Sequence, residues 1–277
     1  MINILTDSTA DIPKDPREAY HIEAIPMYIQ LNGSVYRDGE EIHPELLFES
    51  VRNTGQYPTT SAPSPGDFIE FFDRDSDSIY FGVSSKLSTT FRNAPLAVKE
   101  INHKKVDLID SRSISMGYGQ VVIQAAKWGN EGMGFEELGR RIRERVQQTR
   151  GFFVLDTLDY IYHSGRCSAI EHFFSSLLKI RPFLEMRLDS APGMLQKVRG
   201  ARKKAINALL AYFLNQATKH IIPEIYLTYL DCDAEAEFIK EQIEGADLPI
   251  QIREAEAGCV LATHAGPHPL GIAYYIQ

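Results

Sequence analysis

Short hydroxyl clusters recur at the ends of the strands and loops that the pattern predicts. They read Thr59-Thr60-Ser61, Ser84-Ser85-Lys86-Leu87-Ser88-Thr89-Thr90 and Asp110-Ser111-Arg112-Ser113, and Arg166 and a Thr263-His264 pair add one guanidinium and one imidazole. Hydroxyls, backbone N–H groups at helix starts, a guanidinium and an imidazole together suit a small anion, a carboxylate or a phosphate. No strong nucleophile–base motif accompanies them. The chain has neither the spaced glycines of a dinucleotide fold, nor a P-loop, nor a nucleophile elbow, so these chemistries lose their usual support. The set favours binding an acidic ligand over catalysis.

The elements that must position these groups follow from local pattern. Ile2–Leu5, Ile79–Val83 and Val106–Ile109 are short apolar runs, each ending at a hydroxyl or acidic cluster. Helices are expected after the last two, at 91–101 and 117–128. Alternation of this kind gives βα units and a parallel sheet, whose ligands sit beyond the carboxyl ends of the strands. The clusters occupy those ends. Met133–Gln148 reads as an amphipathic helix, with Phe135, Leu138, Ile142 and Val146 on one face. Near residue 150 the texture changes, and we expect two α/β domains, 1–150 and 151–277. In the second, strands are expected at 152–155, 224–230, 249–253 and 270–276, and helices at 157–163, 173–180, 197–220 and 233–245.

Composition bounds the partners. The chain has 277 residues, 44% hydrophobic and 24% charged, as a globular protein requires. A net charge of -8 and a pI near 5.5 disfavour nucleic acid, which needs a basic footprint. Cys167, Cys232 and Cys259 are far apart and form no CxxC pair, so a thiolate zinc site is not expected and a reducing cytoplasm is. The N-terminus reads as a first strand rather than a signal peptide, and no apolar run is long enough to span a membrane.

Each candidate also has an ordinary reading. Ser64-Pro65-Gly66-Asp67 is a capping pattern that explains Ser64 but not Thr60 or Ser61. Ser88 can cap the next helix, face a ligand, or both. Most arginines are solvated, and Gly165 beside Arg166 suggests an exposing turn. His264 is read as a loop histidine, because glycine and two prolines between it and Leu270 deny it and His268 the helix that a metal pair would need. Lys197, Arg199, Arg202, Lys203 and Lys204 read as the basic start of a long helix, either a solvated face or a docking surface for an acidic partner. Phe152, Phe153, Phe173, Phe174, Ile180, Phe183 and Leu184 fit an ordinary core or the wall of an apolar tunnel.

Taken together, Leu5-Thr6-Asp7-Ser8-Thr9-Ala10-Asp11, Tyr36-Arg37-Asp38-Gly39, Thr60-Ser61, the Ser84–Thr90 turn, Asp110–Gly117, Leu158-Asp159-Tyr160, Gly165-Arg166, Lys197–Gly200 and Thr263–Pro267 resemble the DegV family nearly end to end. That resemblance implies a two-domain α/β protein holding one long-chain fatty acid between its domains, with no cofactor and no catalysis of its own. It implies that the acid is carried to a separate ATP-dependent fatty-acid kinase. By position, Thr60, Ser61, Ser88 and His264 correspond to the family's carboxylate contacts, and Arg166 to an arginine at the head-group opening. The chain departs from the pattern at Lys86 and Thr89, where glycines are usual, and at Ala62, where glutamine is common; side chains resist positive φ, so a different turn is expected. Two other readings remain: an enzyme acting on a small acidic or phosphorylated metabolite, with His264 as general base and Arg166 as anion clamp, and a lipid-responsive regulatory protein.

Overall fold

The computed structural model describes residues 2–101, 105–166, 180–187 and 192–277. Cys167, Phe173, Phe174 and the helix expected at 173–180 lie outside them, except that Ile180 begins a strand. A four-stranded parallel sheet takes β1 (Asn3–Asp7), β2 (Glu23–Ile25), β6 (Ser78–Gly82) and β7 (Val106–Asp110) in the order β2-β1-β6-β7. A three-stranded antiparallel sheet, not expected from the sequence, takes β3 (Tyr28–Leu31), β4 (Ser34–Arg37) and β5 (Thr59–Ser61) in the order β4-β3-β5. Connections to these sheets carry α1 (Lys14–Ala19), α2 (Pro44–Thr54), α3 (Pro65–Phe72), α4 (Thr90–Glu100), α5 (Met116–Asn130) and α6 (Phe135–Gln148).

A six-stranded sheet begins with β8 (Thr149–Val154) and adds β9 (Ile180–Met186), β10 (Pro192–Arg199), β11 (Glu224–Tyr229), β12 (Gln251–Glu256) and β13 (Leu270–Tyr275), in the order β10-β9-β8-β13-β11-β12. Only β11 and β12 pair parallel in it. Its helices are α7 (Asp159–His163), α8 (Arg202–Ala217), α9 (Asp233–Glu244) and α10 (Cys259–Ala265). The architecture is α/β. We propose the division between the two domains at the passage from α6 into β8.

Local signals explain most boundaries. Ser64 accepts from the Asp67 N–H at 3.2 Å while the Asp67 carboxylate accepts from the Ser64 N–H at 2.7 Å, so α3 opens with a complete capping box and Pro65 in its first turn. The stretch 197–220 is not one helix. Gly200 stands at φ +101, outside what a helix allows, and divides strand β10 from helix α8. Lys197 and Arg199 therefore lie on a strand.

Helix α5 is the layer between the two large sheets. Every residue from Met116 to Ile123 is buried, and its apolar side chains join one cluster with Ile4, Ile79 and Phe81 of the parallel sheet and Tyr226, Ala255 and Ala273 of the six-stranded one. Being covered on both sides, it needs apolar residues all round rather than a stripe. Two of its glycines differ in kind. A Cβ on Gly119 would stand 2.3 Å from the Ala10 carbonyl oxygen, whereas one on Gly129 would meet only the Leu138 side chain at 3.7 Å. Gly119→Ala is expected to destabilise the fold by about 3 kcal/mol through backbone overpacking. Gly129→Ala is expected to stabilise it by roughly 0.5–1 kcal/mol through helix propensity. Urea unfolding of the two variants checks the opposite signs.

Candidate functional site

The carboxyl ends of β1 and β6 meet α10 and the strand β8 around one cavity. Its empty space, the open solvent at its mouth included, is about 740 Å³. Leu87, Ile114, Phe153, Leu155, Ile161 and Leu261 make most of the wall apolar. Thr9, Thr60, Ser88, Arg166 and His264 bring polar groups to it from widely separated points in the chain. A second chamber, about 480 Å³ with the open space at its mouth included, adjoins the first, and Ile114, Phe153, Leu155, Met186, Leu261 and Ala265 line both.

His264 is not on a loop. It sits in the last turn of α10, a seven-residue helix between Gly258 and Gly266. Its Nε2 lies 2.9 Å from the Thr60 hydroxyl, across 204 residues of sequence. Its Nδ1 is buried and has no hydrogen-bond partner among the described residues. Burial, and then the nearby Arg166 charge, push the imidazole down to about 3. The ring is therefore neutral near neutral pH. A neutral ring supplies no positive charge to an anion, and so weak a base does not suit the general-base role of the alternative reading. Burial also lowers Arg166, whose Nη1 donates to the Ser164 carbonyl at 2.6 Å.

Thr60 and Ser61 do not act together. Successive side chains of β5 point to opposite faces, and Thr60 reaches the cavity wall while Ser61 does not. Ser88 reaches the wall, but Thr89 rather than Ser88 is the N-cap residue of α4. The Ser88 hydroxyl lies 2.6 Å from that of Thr90 and accepts from the Thr90 N–H at 3.3 Å. Ser85 is engaged elsewhere, donating to Asp110 at 2.6 Å. Lys86 and Thr89 both lack positive φ, so the turn forms without the conformation that a glycine would favour. Lys86 is exposed and stands off the cavity wall.

The basic cluster divides. Arg202 donates to Glu235 at 2.9 Å, to Asp156 at 2.7 Å and to the His268 carbonyl at 2.8 Å, which ties α8 to α9 and to the loop before β13. It is a structural clamp rather than a docking residue. Lys197, Arg199 and Lys203 are exposed around the Gly200 turn. His268 pairs with Asp156 at 3.1 Å and is unconnected to His264. Among the described residues no group of His, Cys, Asp or Glu is placed to hold a metal ion, and no helix is long and apolar enough to cross a membrane. Cys232 and Cys259 are buried and unpaired. Of the aromatics considered for a tunnel, Phe153 lines both chambers, whereas Phe183 packs in the core of the six-stranded sheet.

The family model described as "Uncharacterised protein, DegV family" matches residues 1–277. The chain belongs to the DegV family. It is 34% identical over 281 residues to a DegV domain-containing protein of Caldanaerobacter subterraneus subsp. tengcongensis, covering 99% of this chain and 98% of the relative. Its structure is similar to that of a fatty-acid-binding DegV family protein from Thermus thermophilus, with a TM-score of 0.90 at 29% identity over 100% of this chain and 99% of the other. It is also similar to that of DegV, a fatty acid binding protein from Bacillus subtilis, with a TM-score of 0.88 at 28% identity over 100% and 99% of the two chains.

The acids of the DegV motif near the N-terminus carry a role that the sequence reading missed. The Asp7 carboxylate accepts from the Thr9 N–H at 3.2 Å and the Thr9 hydroxyl, from the Tyr80 and Tyr118 hydroxyls at 2.7 Å each, and from the Val83 N–H at 2.9 Å. Asp11 accepts from Ser115 at 2.5 Å and from the Gly258 N–H at 3.0 Å. With Asp7 and Asp38 it lines a separate polar cleft of about 1530 Å³. Burial, reinforced by repulsion from Asp38 and Asp7, pushes Asp11 from its ordinary 3.8 up to about 8. Burial likewise raises Asp38, against hydrogen bonds from Ser8 and from the Val260 and Cys259 N–H groups. A carboxyl whose folded pKa lies above its unfolded one holds its proton more tightly in the native state. Its contribution to stability is complete below about 3.8 and is lost as pH rises toward about 8. Asp11→Asn is expected to flatten that fall and to raise the melting temperature relative to the parent at pH 8. Thermal unfolding across this window checks it, and a steeper fall in the variant would contradict the assignment.

Proposed function

We propose that the protein binds one long-chain fatty acid between its two domains, carboxylate toward Thr60, Ser88, His264 and Arg166, acyl chain along the two chambers. The observation that carries the reading is an apolar chamber on which those four polar side chains converge from distant parts of the chain, with a second apolar chamber adjoining it. The fatty-acid-binding relatives of similar fold support it. Burial of an acyl chain gains roughly 0.8 kcal/mol per methylene, so roughly fourteen methylenes give on the order of 10 kcal/mol before ordering costs. A carboxylate taken in with the chain must be hydrogen-bonded or it forfeits much of that gain.

The neutral imidazole has a specific part in this reading. If its proton is on Nε2, it donates to the Thr60 hydroxyl oxygen and leaves the Thr60 proton for the carboxylate. The Nδ1 left without a partner is then a bare acceptor, not a stranded N–H. Thr60 and Ser88 donate neutrally, and Arg166 supplies the charge. Ser61 has no place at the head group.

In this proposal the protein is a carrier without catalysis of its own, working in the cytoplasm. It presents the carboxylate at the cavity mouth to an ATP-dependent fatty-acid kinase, with Arg166 at the opening. Lys197, Arg199 and Lys203 are exposed basic residues on the surface such a partner would meet. Native mass spectrometry of purified protein tests the binding step. The parent is expected to retain a long acyl chain, and Ser88→Ala and His264→Ala to retain about tenfold less with unchanged melting temperature. Full occupancy in both variants would defeat the head-group assignment.

A further inference from the structure

We propose that Asp11 is a positioning residue of the fatty-acid site, and that its ionisation loosens the bound acid through helix α10. This rests on the fatty-acid reading above and adds a controlling group to the same site.

Helix α10 stands between the polar cleft and the cavity. Val260, Leu261, His264 and Ala265 put one side of it on the cavity wall, and Leu261 and Ala265 also line the second chamber. Gly258 and Cys259, at its start, line the cleft instead. A helix of seven residues has few internal hydrogen bonds, so its end contacts decide where it sits. At the far end the contact is His264 to Thr60. At the start the cap residue is glycine, with no side chain to serve the first N–H groups. Asp11 and Asp38 serve them, Asp11 accepting from Gly258 at 3.0 Å and Asp38 from Cys259 and Val260. A Cβ on Gly258 would stand 3.0 Å from Asp11 Oδ1 and 3.9 Å from Asp38 Oδ1, so the two carboxyls crowd one backbone position. Asp11 holds a second wall element as well. Ser115, which donates to it at 2.5 Å, opens α5 and lines the second chamber.

Ionising Asp11 sets a charge against Asp38 and Asp7, the two acids whose fields act on it. Asp38 is bonded to the first turn of α10, and Asp7 to Thr9 and Val83 on the cavity wall. The repulsion therefore acts on the contacts that place the wall, and the new charge also opposes a carboxylate in the cavity. With Asp11 pushed up to about 8, both effects begin in mildly alkaline solution. The other charged or titratable groups of the cleft are Lys14 and Arg17 of α1, Glu23 of β2, Glu40, His43, Glu256 of β12 and Cys259. Lys14 pairs with Glu18 and Glu23 with Arg74 near the surface, and burial raises the Cys259 thiol. By linkage, an acid that binds better beside protonated Asp11 is released as pH rises through that group.

The test is the rate at which isotope-labelled stearic acid leaves the loaded protein into excess phosphatidylcholine vesicles, measured from about pH 6 to about pH 10. The parent is expected to release it about tenfold faster at the alkaline end, with a midpoint near 8. Asp11→Asn keeps an acceptor for the Gly258 N–H and tolerates the left-handed φ of +50 at this position, and it is expected to hold the slow rate throughout. Ser115→Ala removes a donor that favours the ionised carboxyl and is expected to move the midpoint to higher pH. The His264 ring signals, followed by NMR in histidine-labelled protein, are expected to shift with the same midpoint in the parent and to stay fixed in Asp11→Asn, since the ring itself titrates only at about 3. A parent rate that is flat with pH, or an acceleration that survives in Asp11→Asn, overturns the inference and leaves the fatty-acid reading standing. So do His264 signals that stay fixed while release accelerates. Parent protein that retains no acid at any pH overturns both.

Discussion

One buried carboxylate organises the end of the molecule where the ligand cavity forms. Asp7 is wholly inaccessible to solvent and is surrounded by five donors. An acid at such depth would be costly without them. The donors come from the turn after β1, from β6, from the residue that follows β6, and from α5. Satisfying Asp7 therefore fixes the relative positions of three elements. Two of the residues that donate to it, Thr9 and Val83, are themselves on the cavity wall. Burial and the Asp7 charge raise Tyr80 and Tyr118 well above the usual phenol range, so both keep the protons they donate.

From that knot the site follows by topology. Parallel strands β1 and β6 deliver their carboxyl ends to one edge, and α5 runs back between the two sheets. The six-stranded sheet closes the other side with β8, whose Phe153 reaches both chambers. The three-stranded sheet contributes a single residue to the polar end, Thr60, which α10 meets through His264. Three sheets thus each provide part of one cavity, and no segment of the chain contains the site by itself.

The parts legible in the sequence are those set by local rules. The hydroxyl clusters after β6 and β7 were readable because a parallel sheet turns at those ends, whereas Thr59-Thr60-Ser61 is itself the antiparallel strand β5; Ser64 was readable because a capping box is a four-residue pattern. What failed was whatever depended on distant partners or on masked periodicity. The Asp7 knot joins residues 73 and 111 positions apart, so the same Asp-Ser-Thr stretch looks like any turn in one dimension. Helix α10 is too short to show a period and is flanked by glycine and proline. The helix expected across 197–220 was suggested by the apolar stripe at Ile206, Leu209, Leu210, Phe213 and Leu214, which does lie on α8, but Gly200 interrupts it and Val198 alternates with exposed neighbours as strand residues do. That His264 reaches the cavity wall and meets Thr60 depends on contacts 204 residues apart and is not written in its neighbours.

The electrostatics at the N-terminal motif also bear on how an acidic protein can hold an acid. In the proposed reading a ligand carboxylate enters a cavity whose wall includes Thr9, and Thr9 is hydrogen-bonded to Asp7. Like charges brought together in a dry interior repel. Two features blunt that repulsion. The Asp7 charge is spread over five donors whose dipoles already point at it, and Asp11, pushed to about 8, is mostly protonated near neutral pH and adds little further charge. Neutral His264 then costs nothing to keep uncharged beside Arg166, which leaves the guanidinium as the group whose field the ligand meets on this wall. In the proposed reading, a single half-buried cation and a set of hydroxyls, rather than a basic patch, hold the carboxylate.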